Sequence, residues 1–154
     1  MTRLHPSSAR PISVSLISLG LLASALPAAA SDTVYGLWLT EEETATVRIA
    51  DCGAGPMAGT PCGVVETADI PEGEPTTDVN NADPTLRDEP IIGLTMLDGF
   101  ERDKDKWKKG RIYNPEDGKS YKSSIRLDKD DPDILKVKGC IAFLCQTQEW
   151  TRVD

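Results

Sequence analysis

The sequence predicts an all-β protein, an eight-stranded antiparallel up-and-down barrel with one long loop. Three observations carry that prediction. Apolar residues recur at every second position in short stretches, and no long stretch has helical spacing. Most stretches are joined by a few turn-forming residues, which makes successive strands antiparallel neighbours. Eight such strands close naturally into a barrel, which removes the sheet edges and leaves an interior for side chains or one small ligand.

The first strand is predicted over residues 34–40, and "EEE" at positions 41–43 turns it into the second, 45–51, where Val47 and Ile49 alternate with Thr46 and Arg48. The third covers residues 62–68. Between Asp69 and Pro90 the alternation stops, and "DIPEGEPTTDVNNADPTLRDEP" is rich in proline and acids and nearly free of apolar residues. Loops of this length are lids, packed excursions or mobile segments. Within it, "NADPTLRD" predicts one short helical turn begun at Asp83, with Pro84 in the first helical position.

The fourth strand is predicted over 91–102 and, after "DKD", the fifth over 106–114. Pro115, with its fixed φ, and Asp117-Gly118 then reverse the chain into the sixth strand, 119–128. There Tyr121, Ser123, Ile125 and Leu127 alternate with Lys122, Ser124 and Arg126. "KDDPD" leads into the seventh, 134–141, which sets Leu135 and Val137 against Lys136 and Lys138; the eighth covers 145–153.

The first thirty residues differ in kind. Arg3 and Arg10 precede the apolar run "ISVSLISLGLLASAL", which ends at Pro27 and the small residues Ala28, Ala29 and Ala30. This pattern is that of a cleaved secretory signal. The run is shorter than the roughly 18 to 20 residues that span a bilayer, so no transmembrane span is expected. Residues 31–154 are then one exported domain, periplasmic or secreted. The chain has a net charge of −8, and the leader holds no acid, so the exported part is more acidic still. An acidic surface of this kind argues against nucleic acid or an anionic membrane as an expected partner, since phosphate binding needs a basic face.

All four cysteines lie beyond the leader, an even number in a chain bound for an oxidising compartment, so two disulfides are expected. Cys52 with Cys62, and Cys140 with Cys145, are each close in sequence across a turn, which favours local pairing over the two alternatives. No Cys-x-x-Cys spacing occurs and the single histidine, His5, lies in the leader, so neither a metal nor another cofactor is expected.

Several segments together resemble a bacterial secreted family known as domain of unknown function 2147. They are "YGLWLT", the Cys62-Gly63 pair, "IIGLTML", "GRIYNPEDGKSYKSSIRL" and the closing "GCIAFLCQTQEWTRV". The resemblance covers essentially all of the exported part. It implies a lipocalin-like barrel sent to the periplasm and supplies no catalytic residue. The Gly36-Leu37-Trp38 triplet also resembles the Gly-x-Trp signature that opens lipocalin barrels, where the indole plugs one end beneath a late arginine. Arg152 is the matching arginine here, and Gly36 lets the plug pack against backbone.

Function is expected to be binding and not catalysis. Without a histidine in the exported part there is no Ser-His or Cys-His pair, and paired cysteines leave no thiolate. Carboxylates such as Glu66 and Glu149 keep an acid pair conceivable, but a chain with 25 acids places such pairs by chance. The acid run from Asp128 to Asp133 lacks the glycine and glutamate of a calcium loop. The lysines Lys104, Lys106, Lys108 and Lys109 around Trp107 are interleaved with Asp103 and Asp105. An unfilled barrel would bind a small hydrophobic or amphipathic ligand, with Met96, Trp107, Tyr113 and Tyr121 as wall residues and Arg111 to fix a polar group at the mouth. A filled barrel would instead be a scaffold for protein interaction in the envelope.

Overall fold

A computed structural model describes residues 33–153. The leader therefore lies outside the described residues, together with the cleavage site expected after Ala30. Nine strands form one sheet: β1 (Gly36–Leu39), β2 (Ala45–Asp51), β3 (Pro61–Ala68), β4 (Thr95–Asp98), β5 (Glu101–Asp103), β6 (Lys106–Asn114), β7 (Lys119–Leu127), β8 (Ile134–Ile141) and β9 (Leu144–Arg152). All pairings are antiparallel, in the order β4-β3-β2-β1-β9-β8-β7-β6-β5, with an additional β4–β6 pairing. That last contact, Leu97 opposite Ile112 and Asp98 opposite Arg111, closes an eight-stranded barrel, and β5 is an extra short strand on β6.

The fourth predicted strand is corrected. Residues 91–94 belong to the long loop, and the remainder divides into β4 and β5 around Gly99 and Phe100. The reason is packing: Gly99 takes a φ of 74°, and Phe100 turns inward to become 1% exposed. Its ring occupies the place of a side chain at Gly110, where a Cβ would lie 2.3 Å from the ring. One aromatic residue thus fills the barrel from a break in its wall.

Antiparallel order puts the β1–β2 turn, the long loop and the β6–β7 and β8–β9 turns at one end, the mouth. The other end, the base, holds most of the bulk. Trp38, Leu135 and Trp150 are fully buried there, and Leu97, Ile49, Phe100 and Ile125, at most 1% exposed, continue the core. The Trp38 indole donates to the Val34 carbonyl at 2.9 Å, and the Arg152 guanidinium lies 4.1 Å from the indole centroid. The two residues expected to form the plug are thus in contact, and they are cross-strand partners at the β1–β9 seam.

Both disulfides pair locally: Cys52 with Cys62 at a Cα separation of 4.9 Å, and Cys140 with Cys145 at 4.1 Å. The short helical turn in the long loop is present as a 3-10 helix, Pro84–Leu86, with the Asp83 carboxylate accepting from the Thr85 amide at 2.9 Å. The loop itself is a packed excursion. Asp78 is 1% exposed, and its carboxylate accepts the Tyr113 hydroxyl and the Asn81 amide. The Asn80 side chain donates to the Glu116 carbonyl at 3.0 Å, which pins the loop to the β6–β7 turn.

Candidate functional site

The base of the barrel is filled by large side chains, and the next row towards the mouth carries small ones. Ser123 on β7 lies opposite Gly110 on β6 and Gly139 on β8, and Gly139 lies opposite Gln146 on β9. Four adjacent strands therefore contribute Gly, Ser, Gly and Gln to one row of the inner face. The space at Gly110 is taken by Phe100, but a Cβ at Gly139 would meet only the Ile112 side chain, at an ordinary 3.6 Å. Strand alternation sets the row's polarity: Ser123 sits two residues from Ile125, which is buried in the core.

Ser123 is 6% exposed, and among the described residues its Oγ has no hydrogen-bond partner. One row nearer the base, Trp107 pairs with Ile125, and its buried indole Nε1 is likewise without an acceptor. A buried donor left unsatisfied costs about 1–3 kcal/mol, so two of them one row apart call for an acceptor. The indole N–H only donates, and the hydroxyl can donate alongside it. No charged residue occurs in this row, in the Trp107–Ile125–Val137–Gln148 row below it, or in the Ile112–Tyr121 and Ile141–Leu144 pairs above it. The latter pairs form an apolar inner rim, in which Ile112 and Tyr121 are half-buried and Ile141 and Leu144 exposed.

The expected wall residues are divided by this geometry. Trp107 lies in the core and Tyr121 on the inner face near the rim, its hydroxyl donating to the Asp117 carboxylate, which raises the tyrosine pKa. Met96 is half-buried against the core. Arg111 and Tyr113 lie on the outer face. Arg111 makes two hydrogen bonds to Asp98, at 3.0 and 2.9 Å, and Tyr113 donates to Asp78. The cause is a bulge in β6 between Trp107 and Gly110, where Lys109 adopts a φ of 59°. One extra residue reverses the in–out phase, so an alternation counted from Trp107 places Arg111 and Tyr113 on the wrong side.

Burial and the Asp78 carboxylate push the Tyr113 pKa up to about 12. Glu66 and Glu149, the carboxylates considered for acid–base work, are engaged by Arg48 and Lys136. Ser123 and Gly139, which sequence reasoning did not single out, had one visible signal: each is a small residue at an inward position of an otherwise apolar alternation. A shallow depression of about 340 Å³ beside the β1–β2 turn is lined by Leu39, Glu43 to Thr46 and Thr67 to Asp69, none of them from the inner row.

The comparisons with known proteins agree with this architecture. The profile of a family described as "Uncharacterized protein conserved in bacteria (DUF2147)" matches residues 36–152. The chain belongs to this DUF2147 family. Among solved structures the DUF2147 chain is similar to protein HP1028 from the human pathogen Helicobacter pylori, described as belonging to the lipocalin family. The TM-score is 0.63 at 20% identity, over 79% of this chain and 84% of that one. At that identity the likeness concerns the fold, and the fold is lipocalin-like. No curated protein matches the chain. Among the described residues no helix is long and apolar enough to cross a membrane.

Proposed function

We propose that this DUF2147 protein is an exported barrel, periplasmic or secreted, that binds a small amphipathic molecule in the mouth half of its interior. The observation that carries the reading is the buried, unpartnered Ser123 hydroxyl in a row where Gly139 leaves room beside it. Trp107 Nε1 and Ser123 Oγ offer donors to an acceptor on the ligand, and Ile112, Tyr121, Ile141 and Leu144 receive its apolar part. Two disulfides suit an oxidising compartment.

The absence of charge from these inner rows narrows the ligand class. An ionised carboxylate buried there would find no cation within these rows to offset its desolvation, and the Arg102 guanidinium over the Trp107 ring already donates to the Lys104 carbonyl. The polar end is therefore a neutral acceptor: a carbonyl, an ester, a hydroxyl or a protonated acid. Thermal-shift measurements with a fatty alcohol, a monoacylglycerol and a fatty acid of equal chain length test this. Stabilisation by several degrees is expected for the neutral amphiphiles, with the fatty acid joining them only at low pH. A melting temperature that none of the three moves leaves the barrel as a scaffold.

A further inference from the structure

The β8–β9 hairpin ends in an apolar tip that the fold does not require. Ile141, Phe143 and Leu144 are 63%, 89% and 69% exposed, and Ile141 pairs with Leu144 around the two-residue turn Ala142-Phe143. Such a turn ordinarily takes glycine, asparagine or aspartate. Here Ala142 holds a φ of 52°, a strained conformation for a residue with a Cβ. Neither turn formation nor core packing accounts for these residue types. The Cys140–Cys145 disulfide closes the hairpin directly behind them and holds the tip in shape.

The surroundings indicate what covers the tip. From Gly139 to Gln148 no residue is charged, in a chain where 27% are. On the outer face behind the tip, Lys122 lies opposite Cys140 and Lys138 opposite Ser124 and Thr147. Both lysines are exposed, and among the described residues neither has a carboxylate within 4 Å. The acidic Glu41–Glu42 turn bonds to β9 further back, at Gln148 and Glu149; the acidic long loop and the Glu116–Asp117 turn lie at the same end of the barrel, so the positive charge is local to the hairpin. Four side chains on a narrow tip offer well under the ~800 Å² per partner that a stable protein interface buries. A bilayer interface needs no complementary pocket; it needs an uncharged apolar wedge with cations behind it.

We propose that this hairpin tip docks on the surface of a phospholipid bilayer. Phe143 and Leu144 enter the boundary between headgroups and acyl chains, and Lys122 and Lys138 meet anionic headgroups. The proposal shares Ile141 and Leu144 with the rim of the interior ligand site but rests on the exposed Phe143 and the lysines behind it, and it would bring the mouth of the barrel to the membrane.

The test uses Phe143→Trp in the exported chain with vesicles of phosphatidylcholine and phosphatidylglycerol at three to one. The chain's own Trp38, Trp107 and Trp150 are buried, so the introduced indole reports on the tip. Its emission is expected to shift to the blue and to be quenched by lipids brominated on the acyl chain. In sedimentation, Phe143→Asp should weaken vesicle binding at least tenfold, and Lys122→Glu with Lys138→Glu should weaken it only when phosphatidylglycerol is present. Unchanged emission, or equal sedimentation of the Phe143→Asp and parent proteins, would overturn the proposal. So would a Phe143→Asp protein that loses self-association or a protein partner while still binding vesicles.

Discussion

The guanidinium of Arg152 covers the indole of Trp38 at 4.1 Å from its centroid and donates to the carbonyls of Tyr35 and Thr33 at 3.0 and 2.8 Å. The contact joins the last strand to the first and to the segment that enters it. It closes the base by tying β9 to β1, and the Ser123 row lies nearer the opposite end.

Loss of this seal has a predictable cost. Arg152→Ala removes the cation from the ring face and strands two part-buried carbonyls, which should destabilise the fold by about 1–3 kcal/mol in urea denaturation. Arg152→Lys keeps the charge but not the fork, and should recover less than half of that loss. Wild-type stability in Arg152→Ala would contradict the reading.

Gly118 is expected to be intolerant of any side chain. Its φ is 68°, and a Cβ there would lie 1.8 Å from the Asn80 carbonyl oxygen. Gly118→Ala should displace the long loop from the β6–β7 turn and open the bond after Arg87 to trypsin, detectable by limited proteolysis under conditions in which the parent resists. Cleavage at the same rate in both proteins would show that the loop is not held there.

Tyr113 links the same loop to pH. Its folded pKa, about 12, lies above the unfolded value near 10, so the neutral phenol favours the folded state. Its contribution is complete below pH 10 and is lost as the pH rises towards 12. Lysines titrate in the same window, so the readout is the difference between parent and Tyr113→Phe in chemical denaturation. That difference should shrink steadily from pH 9.5 to 12, and a flat difference would contradict the assignment.

Much of this was legible in the residues. The alternation of Val47 with Ile49, and of Leu135 with Val137, marks strands with one buried face; the cysteine spacings mark hairpins; Pro84 after Asp83 marks the helical turn. What escaped was local and depended on tertiary packing. Phe100 breaks a strand because its ring fits over Gly110, a relationship between residues ten apart that no period reveals. The bulge at Lys109 is signalled only by Gly110 within the strand, and it decides that Arg111 and Tyr113 face outward. Ser123 was readable as an inward position, but its lack of a partner is a property of the folded interior.

The most direct test is native mass spectrometry of the parent and Gly139→Val proteins, each titrated with a neutral amphiphile such as a monoacylglycerol. Valine suits a strand, and its Cβ meets only an ordinary contact with Ile112 while its methyl groups occupy the row beside Ser123. The parent should bind one molecule, and Gly139→Val should bind at least tenfold more weakly while melting within a few degrees of the parent. No adduct with the parent, or equal binding by a well-folded Gly139→Val protein, would contradict an interior site at this row.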